Sequence, residues 1–289
     1  MKRLLIIGCG DVALRMVPHL AGRYRLYALT HSASREATLR RLGIVPIPGD
    51  LDVPESLGRL GGLAHEVVHA APPPSSGAHD TRTAALIRAL ARRGRLPQRF
   101  VYLSTSGVYG NCRGEWVPET RPLHPETARA VRRADAEMRL RDWGRTAGVA
   151  VSILRVPGIY AADRLPIERL KAGTPALAHE SDPYTNHIHA DDLARIVVAT
   201  LLRGRAGRAY NASDDSDMRM GEYFDLVAGH FGLPRPPRVA WQDAVAAMPA
   251  QLLSFMQESR RLVNDRLKNE LRVRLRHATV ADALAGVVP

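Results

Sequence analysis

Six apolar segments alternate with segments of helical periodicity through the first 155 residues. The strand-like segments span 3–8, 24–30, 43–49, 66–71, 99–105 and 149–155, and the helical ones span 11–22, 33–42, 79–94 and 125–147. Strands that alternate with helices are connected by right-handed crossovers and pair in parallel. The alternation therefore predicts an α/β fold with a doubly wound parallel sheet.

A glycine-rich turn follows the first strand directly. The sequence "IIGCGDVALRM" places Gly8, Gly10 and Ala13 in the spacing Gly-x-Gly-x-x-Ala, with Asp11 and Val12 between them. The first glycine permits a tight turn, the second lets the backbone approach a pyrophosphate, and the small third residue lets the helix pack closely on the strand. The helix N-terminus then favours the anion. We therefore predict a Rossmann-like, dinucleotide-binding sheet.

The end of the second strand indicates which dinucleotide binds. The acidic residue that would hold an NAD ribose hydroxyl is missing from "ALTHSASR". His31, Ser32 and Arg35 are neutral or cationic, which suits the 2′-phosphate of NADP. Alternatively, Arg35 is a surface residue at the start of a helix and has no role in cofactor binding. We predict NADP as the cofactor, with NAD as the alternative.

The pattern becomes less regular after residue 160. A short helix (164–172), a strand (174–178), a helix (191–202), a strand (208–213) and a mainly helical tail follow. We predict a dinucleotide-binding domain over 1–160, to which 186–212 returns. The segments 161–185 and 213–289 are predicted to form a smaller C-terminal substrate lobe packed on the sheet edge.

The composition excludes several classes of protein. The net charge is +12, but 38 of the 41 basic residues are arginine, and no basic run interleaves with aromatic residues, so nucleic acid is not the expected partner. Cys9 and Cys112 supply neither a disulfide framework nor a zinc ligand set, and Cys9 is expected to be a packing residue. No apolar segment is long enough to span a membrane. We expect a cytoplasmic protein without a metal site, with a homodimer as a candidate assembly.

An ordered series of short motifs extends over nearly the whole chain. They are the glycine loop and "GDLDVPESL" (49–57), "HAAPP" (69–73), "STSGVYG" (104–110), "LRVPGIY" (154–160), "NHIHADDLA" (186–194) and "YNASD" (210–214). In this order they resemble an atypical extended short-chain dehydrogenase/reductase of the NAD-dependent epimerase/dehydratase type. The resemblance implies that Asp50 and Leu51 flank the adenine, while Ala70 and Ala71 line the cofactor. It also implies cofactor contacts from Ser104 and Pro157.

Enzymes of this family use a Ser or Thr hydroxyl together with a Tyr-x-x-x-Lys pair, in which lysine lowers the pKa of the tyrosine. By the resemblance, Thr105 provides the hydroxyl. Counting back from Glu137, Arg133 stands at the lysine place and Arg129 at the tyrosine place. Arginine stays protonated and cannot exchange protons, but it can anchor an anion. We therefore expect the helix at 125–147 to be present, but without the tyrosine that acts as the acid in the family.

Other residues are candidates for the chemistry and for substrate binding. We expect Tyr160 to face the cleft as a catalytic residue, and Tyr109 to be a packing residue. Asp191 and Asp192 are interpreted as an N-cap and its charge complement, in preference to a metal or catalytic pair. His187 and His189 are candidates for a role in the site; alternatively, each forms a hydrogen bond with a neighbouring backbone group. The predicted substrate residues are Ser106, Arg164, Asn186, His189 and Arg260, with Arg261 as an alternative to Arg260.

Three functions remain open from the sequence. The first is an NAD(P)-dependent oxidoreductase or epimerase-like enzyme that acts on a small-molecule, anionic substrate. The second is a catalytically silent NADP-binding sensor or scaffold. The third is a nucleic-acid binder, which rests on charge alone. The hydroxyls of Ser104, Thr105 and Ser106 favour the first.

Overall fold

The computed structural model describes residues 1–248 and 250–288, so Pro249 and Pro289 of the predicted lobe lie outside the described residues. In chain order the strands are β1 (Lys2–Ile7), β2 (Tyr24–Thr30), β3 (Ile44–Pro48), β4 (Glu66–His69), β5 (Arg99–Thr105), β6 (Trp116–Val117), β7 (Ala150–Val156), β8 (Gly158–Tyr160), β9 (Ala176–Leu177), β10 (Tyr184–Thr185), β11 (His187–His189), β12 (Arg208–Asn211), β13 (Met218–Arg219), β14 (Arg238–Val239) and β15 (Arg261–Leu262). The helices are α1 (Asp11–Leu20), α2 (Ala33–Arg41), α3 (Thr81–Ala91), α4 (Ala128–Ala147), α5 (Ile167–Lys171), α6 (Ala190–Arg203), α7 (Met220–His230), α8 (Trp241–Ala247), α9 (Ala250–Met256), α10 (Asp265–Asn269) and α11 (Val280–Leu284).

Seven strands form one parallel sheet in the order β12-β7-β5-β4-β1-β2-β3. The order reverses direction between β1 and β4, because the chain first moves outward through β2 and β3 and then returns. In sheets of this kind, ligands bind at the carboxyl ends of the strands beside such a reversal. The predicted α/β doubly wound fold is confirmed, and its topology directs attention to the loops after β1, β4 and β5.

The two faces of the sheet follow the alternation of side chains along a strand. In β1, Leu4 and Ile6 belong to the hydrophobic cluster that includes residues of α1 and α6. Their neighbours Leu5 and Ile7 belong to the opposite cluster, which includes residues of α3 and α4. All four side chains are fully buried, as expected for a sheet covered on both faces. The helices are therefore held in place by packing over the length of each strand.

The remaining short strands form four two-stranded pairs outside the main sheet. They are β8 with β11, β9 with β14, β10 with β13, and β6 with β15. A smaller hydrophobic cluster joins Tyr160, Leu170, Phe224, Val227 and Leu284. The β6–β15 pair connects the segment after β5 with residues near the C-terminus. This pairing brings distant parts of the sequence to the carboxyl edge of the sheet. Within the described residues, no helix has the length and apolar character needed to cross a membrane.

Candidate functional site

The glycine loop after β1 adopts a geometry that requires glycine. Gly8 has a φ of +84°, and a Cβ added there would lie 2.3 Å from the backbone nitrogen of Ala71. The amide of Gly10 donates to the carbonyl of Gly8 at 2.9 Å, and α1 begins at the next residue. The buried Ala13 lies in the cluster that includes residues of α6. The loop therefore forms a narrow backbone cradle at a helix N-terminus, as a pyrophosphate site needs.

A cavity of about 560 Å³ opens beside this loop. Its walls combine the ends of β1 and β2 with the turns after β3 and β4. It brings together seven residues that the sequence predicted for the cofactor: Gly8, His31, Ser32, Arg35, Asp50, Leu51 and Ala71. The cavity has the position and the lining that the adenosine half of a dinucleotide requires.

Arg35 lies across the glycine loop. Its Nη2 donates to the carbonyl of Cys9 at 2.6 Å, so this exposed side chain lies along the wall of the cavity. On the opposite wall, Asp52 forms an ion pair with Arg82, which lowers the pKa of that carboxyl. Burial raises the pKa of the Cys9 thiol, in agreement with the packing role expected for it.

Three further predicted cofactor residues lie near this cavity but do not line it. Asp11 begins α1 and pairs with Arg15. Val12 is half-buried and packs against the core cluster that includes residues of α6. The amide of Ala70 donates to the carbonyl of Ile7 at 2.7 Å, which continues the pairing of β1 and β4. These three residues contribute to the structure of the loop, whereas the seven predicted residues named above line the cavity beside it.

A second cavity, of about 430 Å³, lies at the carboxyl ends of β5 and β7. Strand β5 supplies hydroxyl groups, α4 supplies arginines, and the segments around β8, β10 and residue 260 close the far side. Eight residues predicted from the sequence line it: Ser104, Thr105, Ser106, Arg129, Arg133, Pro157, Asn186 and Arg260. The structure therefore brings the predicted hydroxyls and both helix arginines together.

The hydroxyls are positioned by the turn that follows β5. Oγ1 of Thr105 accepts from the amide of Gly107 at 3.2 Å and caps a short 3-10 turn, Ser106–Tyr109. The buried Oγ of Ser104 has no hydrogen-bond partner among the described residues. A buried hydroxyl without a partner costs free energy unless a ligand or water pairs with it. Ser104 therefore fits a contact with a bound polar group.

Arg133 forms several hydrogen bonds at the strand ends. Its Nη1 donates to the carbonyl of Leu103 at 2.8 Å, to the Tyr102 hydroxyl at 3.0 Å and to the carbonyl of Ala71 at 3.3 Å. These three acceptors lie on β5 and just after β4. The residue at the expected lysine place thus joins the walls of the two cavities.

Arg129 is placed differently from Arg133, although both lie on α4. It is more exposed and extends from the first turn of the helix, which Thr127 caps by accepting from the amide of Ala130. Burial of the guanidinium group, followed by the proximity of Arg133, lowers its pKa. Arginine titrates so far above neutrality that it remains a cation. The site therefore presents a fixed positive charge where the resemblance implied an acid.

The register of α4 is set by a buried ion pair. Glu137 and Arg155 are 1% and 3% exposed, and Nη2 of Arg155 is 2.9 Å from Oε2 of Glu137. Arg155 also donates to the hydroxyl of Tyr109, which in turn donates to Asn211. Burial raises the pKa of Tyr109 to about 12. Tyr109 is therefore a packing residue, as interpreted from the sequence.

The placement predicted for Tyr160 and for His189 is wrong. Tyr160 is 3% exposed, does not line the cavity, and donates its hydroxyl to the carbonyl of Thr279 at 3.3 Å. His189 accepts from the amide of Asp191 at 3.2 Å and stacks on His277. Both residues lie on the paired strands β8 and β11, where their side chains are buried. His187 is likewise buried, against Tyr223.

Two other interpretations need correction. Arg164 lies 3.2 Å from Asp11 at the glycine loop and not in the second cavity. His189, not Asp191 or Asp192, is the N-cap of α6. The buried Asp192 instead accepts from the amides of residues 276 and 277, so it anchors the C-terminal segment.

The segment around residue 260 carries a residue that the sequence did not reveal. Glu258 lines the second cavity, with one oxygen 2.6 Å from Nη2 of Arg260 and the other buried without a partner among the described residues. Arg260 also donates to the carbonyl of Gly110. The side-chain amide of Asn186 binds the same segment, because its nitrogen donates to the carbonyl of Arg260 and its oxygen accepts from the amide of Leu262. Arg261 stacks on the rings of Trp116 and Tyr184, outside the cavity lining. No local signal in the sequence marks Glu258.

The fold and the glycine loop are typical of the dinucleotide-binding class of proteins, and a second cavity lies at the carboxyl edge of the same sheet. The family model for the NAD-dependent epimerase/dehydratase family matches residues 5–213. The chain belongs to this family, which supports a nicotinamide dinucleotide as its cofactor.

Several proteins of known type are similar to the chain. A dTDP-glucose 4,6-dehydratase of Mycobacterium tuberculosis is 27% identical over 248 residues, which cover 75% of this chain and 73% of that enzyme. The enzyme of the same name from Streptomyces niveus is 29% identical over 129 residues, or 42% of this chain and 38% of that enzyme. The match to the second enzyme therefore spans well under half of its length.

Solved structures match over nearly the full chain. A functionally unknown conserved protein from Silicibacter pomeroyi is 29% identical, with a TM-score of 0.82 over 99% of this chain and 97% of that one. The dTDP-glucose 4,6-dehydratase DesIV from Streptomyces venezuelae, solved with NAD and TYD bound, is 24% identical with a TM-score of 0.77 over 98% and 94%. The second likeness establishes the fold alone.

Proposed function

We propose that this chain is an NADP-dependent oxidoreductase or epimerase-like enzyme that acts on an anionic small molecule of the sugar-nucleotide class. One observation carries the proposal: the Thr105 and Ser106 hydroxyls and the Arg129 guanidinium line one cavity. That cavity lies at the carboxyl edge of the sheet, and Arg133 in its lining donates to Ala71, which lines the cavity beside the glycine loop. The similar dehydratases are named for dTDP-glucose, whose diphosphate is the kind of anion that arginine binds well.

The preference for NADP rests on the adenosine cavity. No acidic residue follows β2 in the place where NAD-binding proteins hold the ribose hydroxyls. His31, Ser32 and Arg35 line the cavity instead, and the Arg35 guanidinium is fixed over the loop. A cation at this place compensates the charge of a 2′-phosphate.

The residues of the second cavity have separate roles in this proposal. The nicotinamide, when bound, supplies hydride transfer. Thr105 donates a hydrogen bond to the reacting oxygen of the substrate, and Arg129 holds an anionic group. Arg133 fixes the ends of β4 and β5 through its three hydrogen bonds. Neither arginine exchanges protons, so Glu258 is the carboxylate of the described cavity lining that remains for acid–base work.

A second candidate function is a catalytically silent NADP-binding sensor or scaffold. The observation that favours it is the use of Arg133, which takes the lysine place but has Nη1 engaged with Leu103, Tyr102 and Ala71. An arginine used in this way holds the ends of β4 and β5 together and does not exchange protons. Such a protein retains the dinucleotide pocket and an anion site.

Calorimetry and turnover assays on the purified chain distinguish these functions. NADP⁺ and NAD⁺ are titrated first, and oxidation or reduction is then followed with dTDP-glucose, UDP-glucose and simple carbonyl compounds. Tight NADP⁺ binding with turnover supports the enzyme. Stoichiometric binding without turnover across the panel supports the silent binder. Failure to bind either dinucleotide overturns both.

A further inference from the structure

Arg164 connects the segment after β8 with the glycine loop. It ends a short 3-10 turn, Ala162–Arg164, and its Nη2 is 3.2 Å from Oδ2 of Asp11. Asp11 is the first residue of α1 and directly follows Gly10. A side chain from beyond β8 therefore reaches the loop that we assign to the pyrophosphate.

The carboxylate of Asp11 is an unfavourable neighbour for a pyrophosphate. The N-terminus of α1 attracts anions, but a carboxylate on the first helical residue adds a negative charge at the same place. Two arginines compensate it in the structure, with Nε of Arg15 at 3.0 Å and Nη2 of Arg164 at 3.2 Å. A bound dinucleotide brings further negative charge, so the loop needs a cation that can interact with the ligand.

The two arginines differ in how firmly they are held. Arg15 pairs with Asp11, with Asp191 at 2.7 Å and with Asp163 at 3.5 Å, and its hydrogen bonds to Asp191 and Asp11 raise its pKa. Within the part of the chain that the structure describes, Arg164 pairs with Asp11 alone, and 36% of its side chain is exposed. Arg164 is therefore the more available of the two guanidinium groups.

We propose that Arg164 is a dinucleotide-binding residue that contacts the pyrophosphate while it neutralises Asp11. This inference rests on the proposed function, because it requires a dinucleotide in the loop. A guanidinium carries enough donors to pair with a carboxylate and a phosphate together. The contact connects the segment after β8 to the cofactor, so this segment is ordered more strongly when the cofactor is bound.

Three adenine ligands separate the contacts of Arg164 from those of Arg35. ADP-ribose contains the pyrophosphate without a 2′-phosphate, adenosine 2′-monophosphate contains the reverse, and NADP⁺ contains both. Each ligand is titrated calorimetrically into the wild type, Arg164→Gln and Arg35→Gln. Arg145→Gln is the matched control, because it removes an exposed guanidinium from the far end of α4.

We expect Arg164→Gln to weaken NADP⁺ and ADP-ribose binding about tenfold or more, since a hydrogen bond to a charged group is lost. Binding of adenosine 2′-monophosphate should change less than about twofold, because that ligand has no group near Arg164. Arg35→Gln should show the opposite selectivity, weakening NADP⁺ and adenosine 2′-monophosphate but not ADP-ribose. The control should match the wild type for all three ligands.

Thermal unfolding shows whether Arg164→Gln is folded, and Arg164→Lys replaces it if it is not. Lysine keeps the charge but loses the fork of donors, so we expect a smaller loss confined to the same two ligands. Unchanged ADP-ribose affinity in a folded variant overturns the proposal, as does an equal loss for all three ligands. If the wild type binds neither NADP⁺ nor ADP-ribose, the proposed function itself has failed.

Discussion

The two cavities at the edge of the sheet follow the family pattern to different degrees. The cavity beside the glycine loop is built from backbone geometry, with Gly8 against Ala71 and a helix N-terminus behind them. The second cavity has the expected hydroxyl strand and the expected helix, with Arg129 and Arg133 at the positions where the resemblance implied the acid and its lysine. The helix α4 therefore lies where the resemblance implied it, but its two cavity-lining arginines give it a different chemistry.

The largest expected effect concerns the position of α4. Glu137→Gln removes one partner of a fully buried ion pair and leaves Arg155 without its compensating charge. We expect the free energy of unfolding to fall by about 3–5 kcal/mol. Glu168→Gln, which removes an exposed pair with Lys171, is the control and should have almost no effect. Urea unfolding measures both, and equal results would show that this ion pair does not hold the helix.

Two acids whose pKa values shift in opposite directions should respond differently to pH. Arg82 lowers the pKa of Asp52, whereas burial raises that of Asp214 to about 7. Because folded Asp214 binds a proton more tightly than the unfolded chain does, it lowers stability progressively as pH rises from about 4 to about 7. Asp214→Asn should remove that loss, which amounts to roughly 2–4 kcal/mol.

Urea unfolding of Asp214→Asn and the wild type at about pH 5 and about pH 8 tests this sign. The variant should gain stability relative to the wild type at the higher pH. Asp215→Asn, on the neighbouring and more exposed carboxylate, is the control. A wild type whose stability rises between the two conditions while the variant's does not would contradict the assignment.

The two arginines of α4 that line the second cavity, Arg129 and Arg133, should differ in their contribution to stability. Arg133→Ala removes three hydrogen bonds that involve a charged donor, so we expect a loss of about 2–3 kcal/mol in the free energy of unfolding. Arg129→Ala should cost less than about 1 kcal/mol, because its side chain is more exposed. Thermal and urea unfolding compare the variants. Equal losses would mean that Arg129 is as structural as Arg133.

A smaller effect concerns the choice of cofactor. Arg35→Ala removes a cation from the lining of the adenosine cavity, so the preference for NADP⁺ over NAD⁺ should narrow by about tenfold, or 1.4 kcal/mol. Calorimetric titration of both dinucleotides measures the preference. A wild type that binds the two equally, or NAD⁺ more tightly, would remove the assignment to NADP.

The sequence predicted what depends on local pattern. Apolar alternation predicted the strands of the parallel sheet, and glycine spacing predicted the loop at Gly8. Counting from Glu137 predicted that Arg129 and Arg133 share one cavity, since residues four apart lie on one helix face. These features need only strand and helix periodicity together with the order of the elements.

What the sequence could not predict depends on contacts between distant segments. Tyr160 lies on a three-residue strand, which is too short for alternation to show which face is buried. Glu258 reaches the cavity because the segment around it pairs near β6, more than 100 residues earlier in the chain. Arg164 was expected at the substrate but contacts Asp11, because a loop carries it back to α1. Each of these positions is decided by tertiary packing.

We propose that α4 presents an anion site at the place where enzymes of the family have a proton-exchange pair. Calorimetric titration of UDP into the NADP⁺-saturated protein, compared for the wild type, Arg129→Ala and the control Arg145→Ala, tests it most directly. We predict that Arg129→Ala weakens UDP binding about tenfold or more while NADP⁺ affinity and the control stay unchanged. UDP affinity that is equal in all three proteins would contradict the account.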